Sequence, residues 1–337
     1  MTSGSRPSVV RLDDPIELAS SESAEEWPAL SADDIAQHAP ALSLTAVGDG
    51  RVRARCSLWL DDVPPHEGHR IGVIGHYAAG DNEAAVALIE AACAELARHG
   101  CTLAVGPMDG TTWRRYRLVI ERGEEPPFFL EPNNPDDWPD HFAAAGFAPI
   151  AWYLSSLNDD LNHRDPRADA VAERLATNGV TVRQIEMASF EEELARIHRV
   201  ASIAFRDAFL YTPLPQDAFA AQYRAIRPLV RPELVLIAER EGEPVGFSFS
   251  VPDALEPMRG APPKTIVLKT LAVLPDRARL SGLGSLMADR THRIAQSLGY
   301  TRAVHALIHE SNHSRAISER TGRPIRRYAL FGRPLAG

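Results

Sequence analysis

Six residues late in the chain, Arg279-Leu280-Ser281-Gly282-Leu283-Gly284, have the types and spacing to hold an anion. They follow an apolar run closed by Pro275 and precede an amphipathic pattern over 282–298, so they stand where a helix starts. A helix start exposes unpaired backbone N–H groups and the positive end of the helix dipole. Glycines let a phosphate approach that backbone, and arginine adds charge and donors. The stretch reads as a diphosphate cradle, with Arg277 just before it and the Ser285 hydroxyl just after. A Walker-type loop needs GxxxxGKS/T, and no such lysine is present. A dinucleotide fingerprint needs GxGxxG, and Met287 stands where the third glycine belongs, which weighs against a nicotinamide-dependent oxidoreductase. The remaining pattern, Gln/Arg-x-x-Gly-x-Gly/Ala, is met at every position.

Downstream, His305, His309 and His313 recur at intervals of four, which on a helix would align three imidazoles for a metal. The run AVHALIH follows a helix-ending Gly299 and reads as a strand, where four residues separate two imidazoles by about 13 Å. That is too far for one zinc, so no metal is expected. On a strand, His305 and His309 share one face by period-2 alternation.

The elements that would position these residues occur twice. Helical patterns over 84–99 and 282–298 each close on Gly-x-Thr-x-Ala-Val, at Gly100 and at Gly299, and a short strand follows. Upstream of each lie a hairpin signal, turning at Asp49-Gly50 and at Glu241-Gly242, and then another strand, over 70–77 and 265–273. Hairpin, strand, helix, strand therefore recurs about 190–200 residues apart, which predicts two related α/β domains. Their boundaries are read as 1–160 and 175–337, joined within 157–170. The second opens with a strand over 180–187 and helices over 189–205 and 215–226, with the aromatic loop FRDAFLYTPLP between them. The proline-rich, acidic 125–142 reads as loop and 147–156 as the first domain's last strand. Residues 1–25 are expected to be poorly ordered apart from a strand at 9–12.

The net charge of -9 divides unevenly. Residues 1–165 hold 12 Arg and 27 Asp+Glu, a net of -15, and 166–337 hold 24 Lys+Arg and 18 acids, a net of +6. The basic half suits an anionic ligand; an acidic half facing a cleft would favour polyamines or basic metabolites. Nucleic acid is disfavoured by the overall sign, although WRRYR at 113–117 mixes aromatic and basic residues. No apolar run approaches the ~20 residues that cross a bilayer, so no membrane partner is expected. The N-terminus lacks the layout of a signal peptide. Cys56, Cys93 and Cys101 are odd in number without CxxC spacing, and read as free thiols of a cytoplasmic protein.

The stretch 267–300, with Pro275 and a long strand before it, resembles the acyl-CoA-binding motif of the GNAT superfamily of N-acetyltransferases. The resemblance covers roughly 180–335, and the whole looks like a tandem GNAT protein whose N-terminal copy is degenerate. It implies two GNAT-like domains, each a mixed, mostly antiparallel twisted sheet flanked by helices. The implied activity moves an acetyl or other acyl group from acetyl-CoA to the amine of a small-molecule or peptide acceptor. The alternative is an inactive acyl-CoA-binding or partner-binding module; monomer and homodimer both stay open. Leu271 and Val273 would offer main-chain hydrogen bonds to the pantetheine arm, and N–H groups from Arg279 to Gly284, through Leu280, Ser281, Gly282 and Leu283, would hold the pyrophosphate beside Ser285. Asn312 would contact the cofactor or cap a turn. In the first half Asp81, Asn82 and Glu83 open the helix and would repel a diphosphate, so that copy is expected to have lost the cofactor and to shape the acceptor cleft.

Acyl transfer to an amine sets three requirements. An alkylamine with a pKa near ~10.4 must lose its proton. The thioester oxygen needs a donor, for which a backbone N–H near Val273 would serve. The leaving thiolate needs a proton. Many GNATs use a tyrosine for the last; counting back from Gly322 puts Ser318 at its place, a weak acid that would hold a water, with Tyr328 as the alternative. His309 is the candidate base, ahead of Glu310 and Asp207. Asp207, Phe209 and Tyr211 in the aromatic loop are read as the acceptor-binding group.

Overall fold

The structure, a computed structural model, describes residues 7–20, 27, 30–66, 68–163, 165–312 and 314–336. His313 and the Arg277 side chain lie outside the described parts. The first half runs β1 (Ser8–Leu12), α1 (Ala32–His38), β2 (Leu42–Gly48), β3 (Arg51–Trp59), β4 (Ile71–Ala79), α2 (Asn82–Arg98), β5 (Leu103–Gly106), β6 (Leu118–Glu121), α3 (Trp138–Ala144) and β7 (Ala148–Asn158). The second half begins with α4 (Ala168–Thr177), β8 (Val180–Gln184), α5 (Phe190–Ala204), α6 (Gln216–Ile226), β9 (Val235–Arg240) and β10 (Glu243–Pro252). It continues through α7 (Leu255–Met258), β11 (Thr265–Val273), α8 (Arg277–Leu280), α9 (Leu283–Ser297), β12 (Arg302–His309), α10 (Arg315–Thr321) and β13 (Arg323–Pro334).

Both predicted hairpins form, with Asp49-Gly50 and Glu241-Gly242 in the left-handed region that such two-residue turns need. In each half the strand after the hairpin pairs in parallel with the strand after the helix: β4 with β5, and β11 with β12. The other pairings are antiparallel, giving the mixed, mostly antiparallel sheet that was expected. Alternation sorts the side chains of β9. Val235 and Ile237 face α5, Leu236 and Ala238 face α9, and the sheet is packed on both sides. In α2 the positions Ala85, Leu88, Ile89, Ala92 and Leu96 recur at helical spacing and are fully buried, each Leu or Ile contributing about 1.5–3 kcal/mol.

Among the described residues the halves share one sheet of 13 strands and exchange their last strands. β13, from the end of the chain, lies between β5 and β7, while β7, from the end of the first half, pairs with β12 of the second. The strand read at 147–156 is present and pairs with β12 and β13, while Ala151 and Tyr153 still pack with first-half residues and Leu157 packs with the second half.

Three local expectations change. Residues 7–20 are ordered: β1 pairs with β2, and Leu18 in the turn after it is buried. The loop read at 125–142 is loop through 137, and only its end enters α3, where Pro139 occupies an early helical position that needs no N–H. A helix absent from the sequence reading, α4, follows the join and packs on α9. Cys56, Cys93 and Cys101 are buried and free. Among the described residues no helix is long and apolar enough to cross a membrane.

Candidate active site

The fork between β11 and β12 opens the site. The two strands pair from Thr265↔Arg302 to Leu268↔His305 and then part. β12 also bulges there, with Leu307 at φ 61 and a register shift against β7 between His305 and Ile308. The parted strands wall a cavity of about 1140 Å³. Into it come Leu271 and Val273 from β11, Leu280, Gly282, Gly284 and Ser285 from the cradle, and His309, Asn312 and Ser318 from beyond the fork. Asp207, Phe209 and Tyr211 from the aromatic loop line it as well. The first half adds Thr112, Trp113, Tyr116, Arg117 and, through the exchanged β7, Tyr153. Trp113, Tyr116 and Arg117 of WRRYR thus build a cavity wall.

The cradle is narrower than the sequence suggested. Residues 277–280 form the short α8, whose N-cap Asp276 takes the Arg279 N–H on its side chain and the Leu280 N–H on its carbonyl. Arg279, Ser281 and Leu283 do not line the cavity, and the Leu280 and Leu283 side chains are core. What remains is the start of α9. Gly282 sits at φ 80 as its N-cap with no side-chain cap, so the first-turn N–H groups keep no intrahelical partner. The loop is propped from α4: Arg174 donates to the Ser281 carbonyl, and a Cβ on Gly282 would fall 3.0 Å from Val171. At Gly284 an added Cβ would meet only Ile317 at 3.6 Å, Leu271 at 3.8 Å and Val273 at 3.9 Å.

Beyond the fork the bulge breaks the alternation that was to place both histidines alike. His305 is buried; its Nδ1 lies 2.7 Å from Ser318 Oγ, and its Nε2 lies 2.8 Å from His292 Nε2. Burial pushes His305 down to about 4, so it is neutral at pH 7. His292, on α9, borders a second pocket of about 260 Å³. A chain of three side chains therefore runs from one cavity to the other, and the sequence reading missed it. Its only sequence signal is a histidine on the signature helix and another on the following strand.

His309 is half-buried, edge-on to Tyr153 at 4.9 Å. Its pKa is lowered by burial and by Arg117. The Ser311 N–H donates to its Nδ1 at 3.1 Å, which leaves the hydrogen of the neutral ring on Nε2. In this arrangement His309 offers a donor where a base was expected.

Asn312 Oδ1 accepts the Ser314 N–H at 3.0 Å, the turn-capping role, while the residue also lines the cavity. Tyr328 requires a correction. It is fully buried outside the cavity lining, and its hydroxyl donates to Glu131, itself held by Arg326. That hydroxyl lies 3.0 Å from Ser155 Oγ, which accepts the Leu307 N–H, so Tyr328 supports the bulge rather than a leaving group. Burial and Glu131 hold its pKa well above the ordinary value.

The charge balance of the cavity reverses the polyamine expectation. Among the described residues that line it, Asp207 is the one carboxylate, against Arg117, Lys269 and Arg320, and the first half contributes none. The acids of that half face elsewhere.

Residues 193–318 match the acetyltransferase (GNAT) family. Over 311 residues the chain is 24% identical to the bacterial ceramide synthase of Caulobacter vibrioides (strain NA1000 / CB15N), covering 85% of this chain and 81% of that one. The tandem GNAT protein from the clavulanic acid biosynthesis pathway superposes with a TM-score of 0.50 at 14% identity, over 98% of this chain and 99% of that one. A glucosamine N-acetyltransferase region of a fungal multi-domain β-N-acetylglucosaminidase superposes with a TM-score of 0.56 at 13% identity, over 97% of this chain. The chain spans 38% of the length of that fungal protein.

Proposed function

We propose that the chain, whose residues 193–318 match the acetyltransferase (GNAT) family, moves an acetyl or longer acyl group from acyl-CoA to an amine. One observation carries the reading: a single cavity joins the uncapped start of α9, the fork between β11 and β12, and an aromatic cleft with walls from both halves. The donor fits the residues present. The first-turn N–H groups of α9 suit a pyrophosphate, and Gly284 leaves space against Leu271 and Val273 for the chain that follows it. When bound, acyl-CoA supplies a thioester carbonyl carbon open to attack by an amine.

The chain's own residues divide the remaining work. The parted edge of β11 at Leu271 and Val273 is free to hydrogen-bond the donor, as β12 no longer pairs with it. Ser318 is the leaving-group acid, made competent by its neighbours. With hydrogens on His305 Nδ1 and His292 Nε2, each group donates toward the cavity; a proton given up by Ser318 is replaced through His305 from His292, whose Nδ1 takes one in return from water in the second pocket. Phe209, Tyr211, Trp113 and Tyr153 line the acceptor side with apolar surface. A relative named as a ceramide synthase agrees with that surface, because ceramide is an amide of a long-chain amine. We place the protein in the cytoplasm, where acyl-CoA is made and used.

The test is thiol release from acetyl-CoA and octanoyl-CoA with a panel of amines, with mass spectrometry of the amide. Amide formation supports the proposal. Micromolar binding of either donor with no turnover points instead to an acyl-CoA-binding module on the same scaffold. Failure of both donors to bind sinks the reading.

A further inference from the structure

Arg117 is placed at a cost that its neighbours offset only in part. Its backbone holds φ 65, a left-handed value for a non-glycine residue, and the residue is only 6% exposed. The guanidinium carbon lies 3.9 Å from the Tyr116 ring centre and 4.1 Å from that of Tyr153. Its Nε and Nη1 have no hydrogen-bond partner, and among the described residues no carboxylate pairs with it. A buried charge with unmade hydrogen bonds is among the most costly features a fold can carry.

A second cation faces the same space. Lys269 lines the cavity from β11, one of two lysines in the chain, and no ion pair is formed by it among the described residues. Burial and the nearby Arg117 push its pKa down to about 7. The other charges on the wall are accounted for. Arg320 reaches Asp165 at 3.5 Å, and the exposed Asp207 lies 3.6 Å from Arg206. Cation–π stacking fixes the plane of Arg117 but leaves its hydrogen bonds unmade.

We propose that Arg117 and Lys269 form an oxyanion-recognition site for the acceptor, so that the amine acylated here also carries a carboxylate or a phosphate. This rests on the acyltransferase reading above. The two tyrosines hold the guanidinium edge-fixed for a planar or tetrahedral oxyanion, and Lys269, whose protonated form the bound anion stabilises, adds a point charge beside it. The aromatic wall then takes the acceptor's apolar part, between the anion at one end and the amine at the other.

The experiment uses the full chain and three matched amines: 2-phenylethylamine, phenylalanine and the phosphate monoester of phenylalaninol. In the wild type an anionic member should exceed phenylethylamine in kcat/KM by about 10–100-fold, the worth of a charged hydrogen-bonded contact. The better of the two anions identifies carboxylate or phosphate as the source. Arg117→Met and, separately, Lys269→Met should erase that preference while acyl-CoA binding by calorimetry stays unchanged. Melting temperature of Arg117→Met should hold or rise, since an unpaired buried charge is removed; a merely structural stacking role would lower it.

Equal use of all three amines by an active wild type overturns the anion site and leaves the acyltransferase reading intact. Loss of acyl-CoA affinity in both variants also overturns it, assigning the cations to the donor. Should no amine be turned over, calorimetry with N-acetylphenylalanine and N-acetylphenylethylamine decides. Equal binding of the two by the wild type defeats the proposal, and absent acyl-CoA binding defeats the function beneath it.

Discussion

The two halves run through the same order of elements, and they part company at the same place, where the long strand meets the helix. In the second half, β11 and β12 separate after Leu268 and His305, and α9 begins on Gly282 with no side-chain cap. In the first half the equivalent space is filled by the chain itself. β4 and β5 pair to Val73↔Val105, and Met108 then continues the contact by donating its N–H to the Ile74 carbonyl at 2.8 Å. Asp109 takes the His76 N–H at 2.6 Å, and a Cβ on Gly75 would fall 2.1 Å from the Met108 carbonyl oxygen. The helix α2 is capped by Asp81, whose side chain accepts the Ala84 N–H at 2.9 Å and pairs with Arg53. One fold therefore supports either a self-satisfied core or an open site. What separates them is whether the chain supplies partners for its own backbone at the fork and at the helix start.

The largest expected effect comes from giving the second half the acidic helix start of the first. Gly284→Asp should weaken acyl-CoA binding by about 100-fold or more by calorimetry, since it sets a carboxylate where a phosphate is to bind. Gly284 is preferable to Gly282 here, because Gly282 needs its positive φ and abuts Val171, so its replacement would disturb the fold as well. Undiminished acyl-CoA affinity in folded Gly284→Asp would break the comparison at its centre.

Next in size is the relay, whose counterpart on the filled side, Ser57–His76–His38, is joined at 3.0 and 2.8 Å but has no member on the cavity wall. Ser318→Ala should lower kcat by roughly 10–100-fold with little change in KM for acyl-CoA, as expected for loss of a proton donor. His305→Gln should fall with it, and the double variant should be no worse than the worse single one. Additive losses would mean that the two side chains act separately and that no relay connects them.

Acid stability sharpens the comparison from another side, because each half buries a neutral histidine at its fork. Burial pushes both His76 and His305 down to about 4. The unfolded chain takes up protons below about pH 6.5 that these folded sites refuse. Stability is thus complete above pH 6.5 and declines as pH falls toward 4. At pH 5 each histidine should have withdrawn roughly 2 kcal/mol, and His76→Gln or His305→Gln should flatten the urea midpoint against pH. A midpoint that stays level from pH 7.5 to 5 in the wild type would contradict both burials.

How much of this was legible beforehand depends on the range of the interactions. The hairpins at Asp49-Gly50 and Glu241-Gly242, the helix behind Gly282 and the repeated order of elements are short-range features, written in turn residues and periodicity. The exchange of β7 and β13 is not, since nothing in the APIAWYLSSLN run says which sheet it will join. That exchange is why Tyr153 and Arg117 escaped notice as cavity residues, and why the acidic first half was expected to line a cleft it avoids. The bulge at Leu307 undid a reading by strict alternation, turning His305 toward Ser318 and leaving Tyr328 to brace the strand. The cradle motif was legible as a pattern, but only the folded chain shows Asp276 withdrawing the Arg279 and Leu280 N–H groups from it.

The smallest effect tests the filled half alone. Asp81→Ala removes the cap of α2 and one partner of Arg53, and should cost about 1 kcal/mol of stability in urea unfolding. It should not create a second donor site, because the fork behind it stays closed by the Met108 and Asp109 contacts with β4. Calorimetric stoichiometry for acyl-CoA should therefore remain near one per chain in the variant. A rise toward two would show that a single carboxylate, rather than the packing of the fork, had kept the first half from binding, and the contrast between the halves would shrink to one side chain.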